Sequence, residues 1–402
     1  MNTNALRPGF GINLAVGLFV AFWTIVAAFP LLWIAIMSFR VPIDAFATDP
    51  LQVVIGDVTL ERRGGISLLA IVGYFLVLVA SVWLPRRHGV RLVKTLSLGG
   101  LRWVGLLLTW SLYVAALALL VFWIAPLVIG TLEALMAEVP VVGRVAKPLF
   151  GMTTEHYQAV WIKHGFYRQF INSMIVTFGV VTISLSVGTL AGYALARANS
   201  NLAFWLLIVA LIFRALPHSV LVTGYLPPFI NSREILTPFW DWPPVAWLFH
   251  LFSEQPPTLY GQPLAVIMVL VSINQPFTIW MLRSFFQNIP AELDEAARVD
   301  GCTYFEAFWR VIMPVMWPGV ITTGLFSFLL AYNDYLVTSL LLDAQSQTMV
   351  PAIAQYFNRE TTTTDQIEAV AAAVSITAPL FLLVMVFQRQ IVSGLTQGAV
   401  KG

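Results

Sequence analysis

The sequence predicts an all-α, polytopic membrane protein of about eight transmembrane helices, and two observations carry that expectation. Hydrophobic residues make up 58% of the 402 and charged residues only 10%, with a mean hydropathy of +0.81. Soluble domains run near a quarter charged, so a surface this apolar faces lipid. Long apolar runs also recur, roughly at 13–38, 66–84, 103–128, 171–196, 202–227, 262–286, 318–342 and 366–388. Each is near the ~20 helical residues that cross ~30 Å of hydrocarbon.

The first run, Asn13 to Ser38, is too long for the 7–15-residue core of a signal peptide and is read as a span. Arg86, Arg87, Arg91, Lys94 and Arg102 crowd the loop between the second and third runs. The positive-inside rule puts that loop in the cytoplasm, and an even number of spans then puts both chain ends there too. Arg62, Arg63, Arg144 and Lys147 fall outside on this topology and weaken the asymmetry. The segment 236–263 holds six prolines among several aromatics, which suits short helical turns along the membrane interface. A polar outside loop, FNRETTTTD, occupies 357–365, and no repeat of 20–50 residues stands out.

Composition also excludes functions. A net charge of +2 offers nucleic acid nothing. One cysteine, Cys302, rules out an internal disulfide framework, and five scattered histidines lack the spacing of metal ligands. No phosphate loop of the G-x-x-x-x-G-K-[ST] kind is present, so any nucleotide site must be borrowed.

Between the sixth and seventh spans the chain reads NIPAELDEAARVDGCTYFEAFWRVIMPVMWPG. It is too polar to cross a membrane and densely coded for helix. Pro290 suits a first helical position, Asn288 or a neighbour can cap it, and Glu292 and Glu295 sit in its favourable first turns. Gly301 permits the positive φ of a helix end. Thr303 and Glu306 have capping-box spacing and start a second helix. Two short helices bent at Gly301 are therefore expected, with Ala296 and Ala297 leaving room for another protein to come close.

This loop resembles the EAA loop of permeases in binding-protein-dependent ATP importers. Glu295-Ala296-Ala297, then Asp300-Gly301, then Val311-Ile312-Met313-Pro314 follow its spacing, with Val311 and Met313 as conservative departures. SFRVPIDAFATDP after the first span, FINSMIV at 170–176, AGYALAR at 191–197 and SGLTQGAVKG at 393–402 are similar to the carbohydrate branch, specifically to the second permease of maltose-type systems. The resemblance implies the type I ABC importer permease fold, with a six-helix core. It also divides the chain into an N-terminal tail and first helix at 1–50, an inserted hairpin with outside flanks at 51–147, and the core at 148–402. The coupling loop, near 288–314, would present Glu295, Ala296, Ala297, Asp300 and Gly301 to an ATPase.

The same resemblance implies the setting. The chain would sit in a bacterial inner membrane with both termini cytoplasmic. It would pair with an ATP-binding cassette ATPase dimer, a second homologous permease and a periplasmic solute-binding protein. It would bind no cofactor of its own, ATP and Mg residing on the ATPase, and it would pass a small-molecule solute, a carbohydrate first and a polyol or glycerol-phosphate-like compound second. A secondary transporter or channel is the reading from another class; those usually carry inverted repeats or several intramembrane charges, which are lacking apart from Asp334 and Arg214.

Candidate pathway residues are few. Asn333 and Asp334 fall in the seventh run about 16 residues past Pro318, roughly 24 Å along a helix, where an ionisable group serves either solute passage or a helix–helix bond. Arg214 lines a cavity or pairs with Asp334, and Asn274 and Gln275 offer hydrogen bonds to sugar hydroxyls or to neighbouring helices. Gly188 and Gly192 form a G-x-x-x-G that favours close packing. Interfacial belts account for most of the 14 tryptophans, leaving Trp240, Trp242 and Trp247 open to partner contact.

Overall fold

Inside lipid a backbone N–H or C=O has no water to bond, so a spanning segment must satisfy itself as helix. The computed structural model is helical over most of the expected apolar runs, and describes residues 10–96, 102–137, 139, 143–198, 201–214, 218–251, 253–358 and 362–399. Among these, six helices are long and apolar enough to cross a membrane: Gly11–Met37, Ser111–Ala137, Tyr167–Arg197, Pro263–Gln287, Tyr304–Tyr332 and Thr363–Gln388. Residues 97–101 of the basic loop and the last three of the C-terminal motif, 400–402, lie outside the described residues. Two compact units are present, Met1–Gln158 with Thr362–Ala371, and Ala159–Thr361 with Ala372–Gly402.

The first unit opens with α1 (Phe10–Met37), followed by three short helices, α2 (Pro42–Ala45), α3 (Pro50–Ile55) and α4 (Asp57–Arg63). Strand β1 (Gly65–Ser67) leads into α5 (Leu68–Leu96), and the chain returns through α6 (Arg102–Leu119), a π turn at Leu120–Ile124 and α7 (Ala125–Ala137). Then come α8 (Gly143–Ala146), strand β2 (Pro148–Gly151) and α9 (Glu155–Gln158). The two strands pair antiparallel, Gly65 opposite Gly151 and Ser67 opposite Pro148, so everything between them leaves and re-enters at one point. Ala70, Ala125 and Ile129 pack the hairpin, and Ser67 Oγ donates to Glu133 on α7.

Buried polar groups knit this unit across residue 50. Asp44 is fully buried, and its Oδ2 accepts from Thr59 N at 2.6 Å and Thr59 Oγ1 at 2.7 Å. Arg40 Nε donates to the Val53 carbonyl at 2.9 Å, and His156 Nε2 meets the Arg40 carbonyl at 3.0 Å. A carbonyl can only accept, so Nε2 must carry the proton there.

The second unit begins with a π turn at Ala159–Lys163 and continues with α10 (Tyr167–Arg197), α11 (Asn201–Arg214), α12 (His218–Ile230), α13 (Ser232–Trp240) and α14 (Pro243–His250). Next come α15 (Pro263–Gln287), α16 (Glu292–Val299), α17 (Tyr304–Ala307), a π turn at Phe308–Ile312 and α18 (Met313–Tyr332). The last elements are α19 (Leu336–Leu341), α20 (Met349–Asn358) and α21 (Thr363–Ala399), whose first residues belong to the other unit. The expected fifth run is thus two helices, with 215–217 outside the described residues, and the expected seventh divides at Asn333–Tyr335.

Helices α10, α15 and α18 form its centre. Gly188 and Gly192 do allow close packing: a Cβ on Gly188 would stand 2.6 Å from Thr278 Cγ2, and one on Gly192 3.1 Å from the Arg283 nitrogen. Val176, Val180, Ile267, Leu270, Ile273, Val337 and Leu341 fill one end of the bundle. Leu282, Phe285, Phe286, Ile289, Phe308, Ile312 and Met316 fill the other.

Burial holds the His156 imidazole below its ordinary pKa, against the opposing pull of the Arg40 carbonyl, Glu155 and Glu368, while Arg63 pushes the same way as burial. The folded state therefore binds fewer protons than the unfolded chain. Stability should be whole above the ordinary value of 6.5 and fall as pH drops through it. Melting temperatures of the detergent-solubilised protein from pH 8 to 5 check this. His156→Gln, which keeps an N–H for the Arg40 carbonyl, should flatten the acid side of the curve.

Candidate functional site

The loop between α15 and α18 is built from its caps outward. Helix α15 ends at Gln287, where Asn288 is its C-cap and not the start of the next helix. Pro290 begins a tight turn, with Leu293 N bonded to the Pro290 carbonyl and Asp294 N to that of Ala291. The following helix, α16, therefore starts at Glu292, two residues later than the proline predicts, and without a side-chain cap. Glu292, Asp294 and Glu295 lie in its first turn, where the helix dipole favours negative charge.

Its far end is a Schellman motif. Cys302 N bonds to the Ala297 carbonyl and Gly301 N to that of Arg298, both at 3.0 Å, with Gly301 at φ +93°. The next helix starts at once. Thr303 Oγ1 accepts from Glu306 N, and Glu306 Oε2 accepts from Thr303 N at 3.0 Å, completing the capping box. The Arg298 guanidinium lies 4.2 Å from the centre of the Tyr304 ring, spanning the bend. The elbow is as the sequence predicts and is pinned on both sides of its glycine.

Glu295, Ala296, Asp300 and Gly301 are exposed, whereas Ala297 is turned inward and buried. Of the two alanines, only Ala296 is exposed. The sequence reading also missed four exposed apolar side chains: Val299, 87% exposed, on α16, and Tyr304, Phe305 and Trp309 at the start of the apolar stretch Tyr304–Tyr332.

A second missed group joins α16 to the bundle. Tyr193 OH donates to Asp294 Oδ1, Arg197 Nε donates to Asp294 Oδ2 at 2.9 Å, and Arg197 Nη1 donates to the Phe286 carbonyl at 3.3 Å. AGYALAR supplies Tyr193 and Arg197 one helical turn apart, a spacing that places both on one face. Nothing in the sequence tied that face to a residue about a hundred positions away.

The candidate pathway residues each meet a different partner. Asn274 is buried and donates to Ser327 Oγ at 2.7 Å, tying α15 to α18. Such a bond between membrane helices contributes roughly 0.6 kcal/mol. Gln275 Nε2 donates to the Ser184 carbonyl on α10, and its Oε1 is buried without a hydrogen bond. Arg214 lies 4.5 Å from the centre of the Phe277 ring on α15. Asn333, expected inside a span, is the exposed C-cap of α18. Asp334 follows it in the break, where its Oδ1 accepts from Thr338 N at 2.9 Å as a cap for α19. At the start of α10, Lys163, His164 and Arg168 line an open cleft of about 740 Å³ with Gln169 and Gln345.

Residues 184–397 match the family described as Binding-protein-dependent transport system inner membrane component. The trehalose transport system permease protein SugB of Mycobacterium tuberculosis is 30% identical over 252 residues, 62% of this chain and 83% of that one. The diacetylchitobiose uptake system permease protein DasC of Streptomyces coelicolor is 33% identical over 253 residues, 62% of this chain and 82% of that one. The maltodextrin transport system permease protein MalD of Streptococcus pneumoniae is 25% identical over 252 residues, 63% of this chain and 78% of that one.

No atom comes within 4 Å of a Cβ on Gly301, so substitution there meets strain and no clash. Gly301→Asn should lose less in thermal melting than Gly301→Val, which should cost about 1–3 kcal/mol. Equal melting of the two would show that the positive φ is not needed. Asp334 is tested by a pair of changes. Asp334→Asn keeps an acceptor for Thr338 N and should melt and transport as the parent does. Asp334→Leu should lose about 0.5–2 kcal/mol. Transport lost equally in both would return the carboxylate charge to the solute path.

Proposed function

The chain belongs to the family of binding-protein-dependent transport system inner membrane components, and we propose that it is the permease of an ATP-driven carbohydrate importer, one of two permeases in the complex. It is a multi-pass membrane protein. The observation that carries the reading is the elbow pinned on both sides of Gly301, with Val299 exposed on α16.

An elbow capped on both sides resists bending, which a part that transmits force requires. An ATPase dimer that holds ATP and Mg is the partner the proposal assigns, with exposed Val299 at the contact. Glu295, Ala296, Asp300 and Gly301 would lie at the contact, with Ala297 packed behind them. The basic cleft of Lys163, His164 and Arg168 lies at the other end of α10, about 45 Å away for 31 residues of helix. Its charge fits an acidic surface on a soluble binding protein outside the inner membrane, and both chain termini would then lie in the cytoplasm. Carbohydrate is favoured because the relatives named above are permeases for trehalose, diacetylchitobiose and maltodextrin.

The chain should retain an ATPase subunit through purification in mild detergent. Val299→Asp, which puts a charge at an exposed apolar position of α16, should release that subunit while the membrane part keeps its melting temperature. Proteoliposomes holding the complex and its binding protein should take up a labelled sugar from a panel of trehalose, maltodextrins and diacetylchitobiose, and only with ATP inside. Uptake driven by an ion gradient without ATP would sink the importer reading in favour of a secondary transporter.

A further inference from the structure

The face of α16 turned to the bundle carries two side chains with different mechanical meaning. Ala297 is a smooth apolar contact across which a helix can slide. Asp294 is a directional one. Its two carboxylate oxygens are held separately, Oδ1 by the Tyr193 hydroxyl and Oδ2 by Arg197 Nε. Arg197 Nη2 also lies 2.8 Å from Oδ2, as an ionic contact without hydrogen-bond geometry. The arginine and aspartate side chains are 21% and 15% exposed, so little water competes for them.

The support behind the pair is equally specific. The Tyr193 ring centre stands 5.4 Å from that of Phe286 at the end of α15 and 4.9 Å from that of Phe308 in the π turn before α18. Arg197 also donates to the Phe286 carbonyl. Two side chains on the last turn of α10 therefore gather α15, α16 and the start of α18 around one carboxylate. A planar guanidinium and a phenol fix the carboxylate's direction as well as its distance, which dispersion contacts do not.

Resting on the reading that α16 docks on an ATPase, we infer that Asp294 is a positioning residue that locks α16 to the last turn of α10. A displacement of the docked helix then passes along α10 without being lost as rotation of α16. The two hinges available to such rotation are the uncapped turn at Pro290–Ala291 and the bend at Gly301. The bend is held by its own caps, so the turn is where motion would escape. The Asp294 bonds close off that route, because they hold α16 within three residues of its start.

The test uses the whole complex and needs no transported solute. With Cys302→Ser as background, spin labels are placed at Glu292→Cys on α16 and at Val187→Cys on an exposed part of α10. Their separation is measured by pulsed electron resonance before and after trapping with MgATP and vanadate. In the parent, the separation should hold to within about 2 Å, the scale of helix shifts at packed interfaces. In Asp294→Asn and in Arg197→Gln, measured on complexes that keep the ATPase, nucleotide should shift or broaden the distance beyond that. A parent whose helices separate on nucleotide binding overturns the proposal, and so do variants as rigid as the parent. Loss of the ATPase from both single variants would make the pair a support of the fold alone and would overturn it too. If the unmodified chain never retains an ATPase, the docking reading fails first, before any variant is made.

Discussion

Close approach of two backbones, α10 against α15, sets the positions of most other elements in the second unit. At Gly188 and Gly192 the helices are too near for a side chain between them, which fixes their register as well as their distance. Given that register, Gln275 reaches the Ser184 carbonyl, and Leu282, Phe285 and Phe286 point into the core that receives the π turn before α18. The last turn of α10 then arrives beside the end of α15, where Tyr193 and Arg197 meet Asp294. Small residues at one crossing thus determine the geometry of a loop nearly a hundred residues further along the chain. In lipid this matters more than in water, because hydrophobic burial supplies no separate force between helices and packing must do so.

Much of the loop was legible because its signals are local. A positive-φ glycine and a Thr-x-x-Glu pair each act within a few residues, and both stand where the sequence puts them. The start of α16 was misplaced by two residues because Asn288 closes α15 and leaves Pro290 in a tight turn. The Asp294 cluster was not legible, since its members are far apart in sequence and each reads as an ordinary helix residue alone.

Polar residues inside apolar runs were legible as special but not as to what they face. Asn274 and Gln275 were possible solute contacts by composition; their partners are Ser327 and the Ser184 carbonyl on neighbouring helices. Asn333 and Asp334 lie in a run apolar enough to read straight through. Short polar side chains there offer the backbone alternative bonds, as Asn333 does to the Leu329 carbonyl and Asp334 to Thr338 N, and the helix breaks. Hydropathy averages over such a break, which is how one expected span becomes α18 and α19.

The two-stranded ribbon of β1 and β2 has a consequence for the history of the chain. Because Ser67 is opposite Pro148, the segment between them begins and ends at neighbouring backbone positions. A stretch anchored in this way puts no demand on the path of what precedes or follows it. It can be gained, lost or lengthened by whole helical pairs without changing which side of the membrane any later residue occupies. The ribbon fixes where this segment starts and stops, so its length is set independently of the backbone on either side.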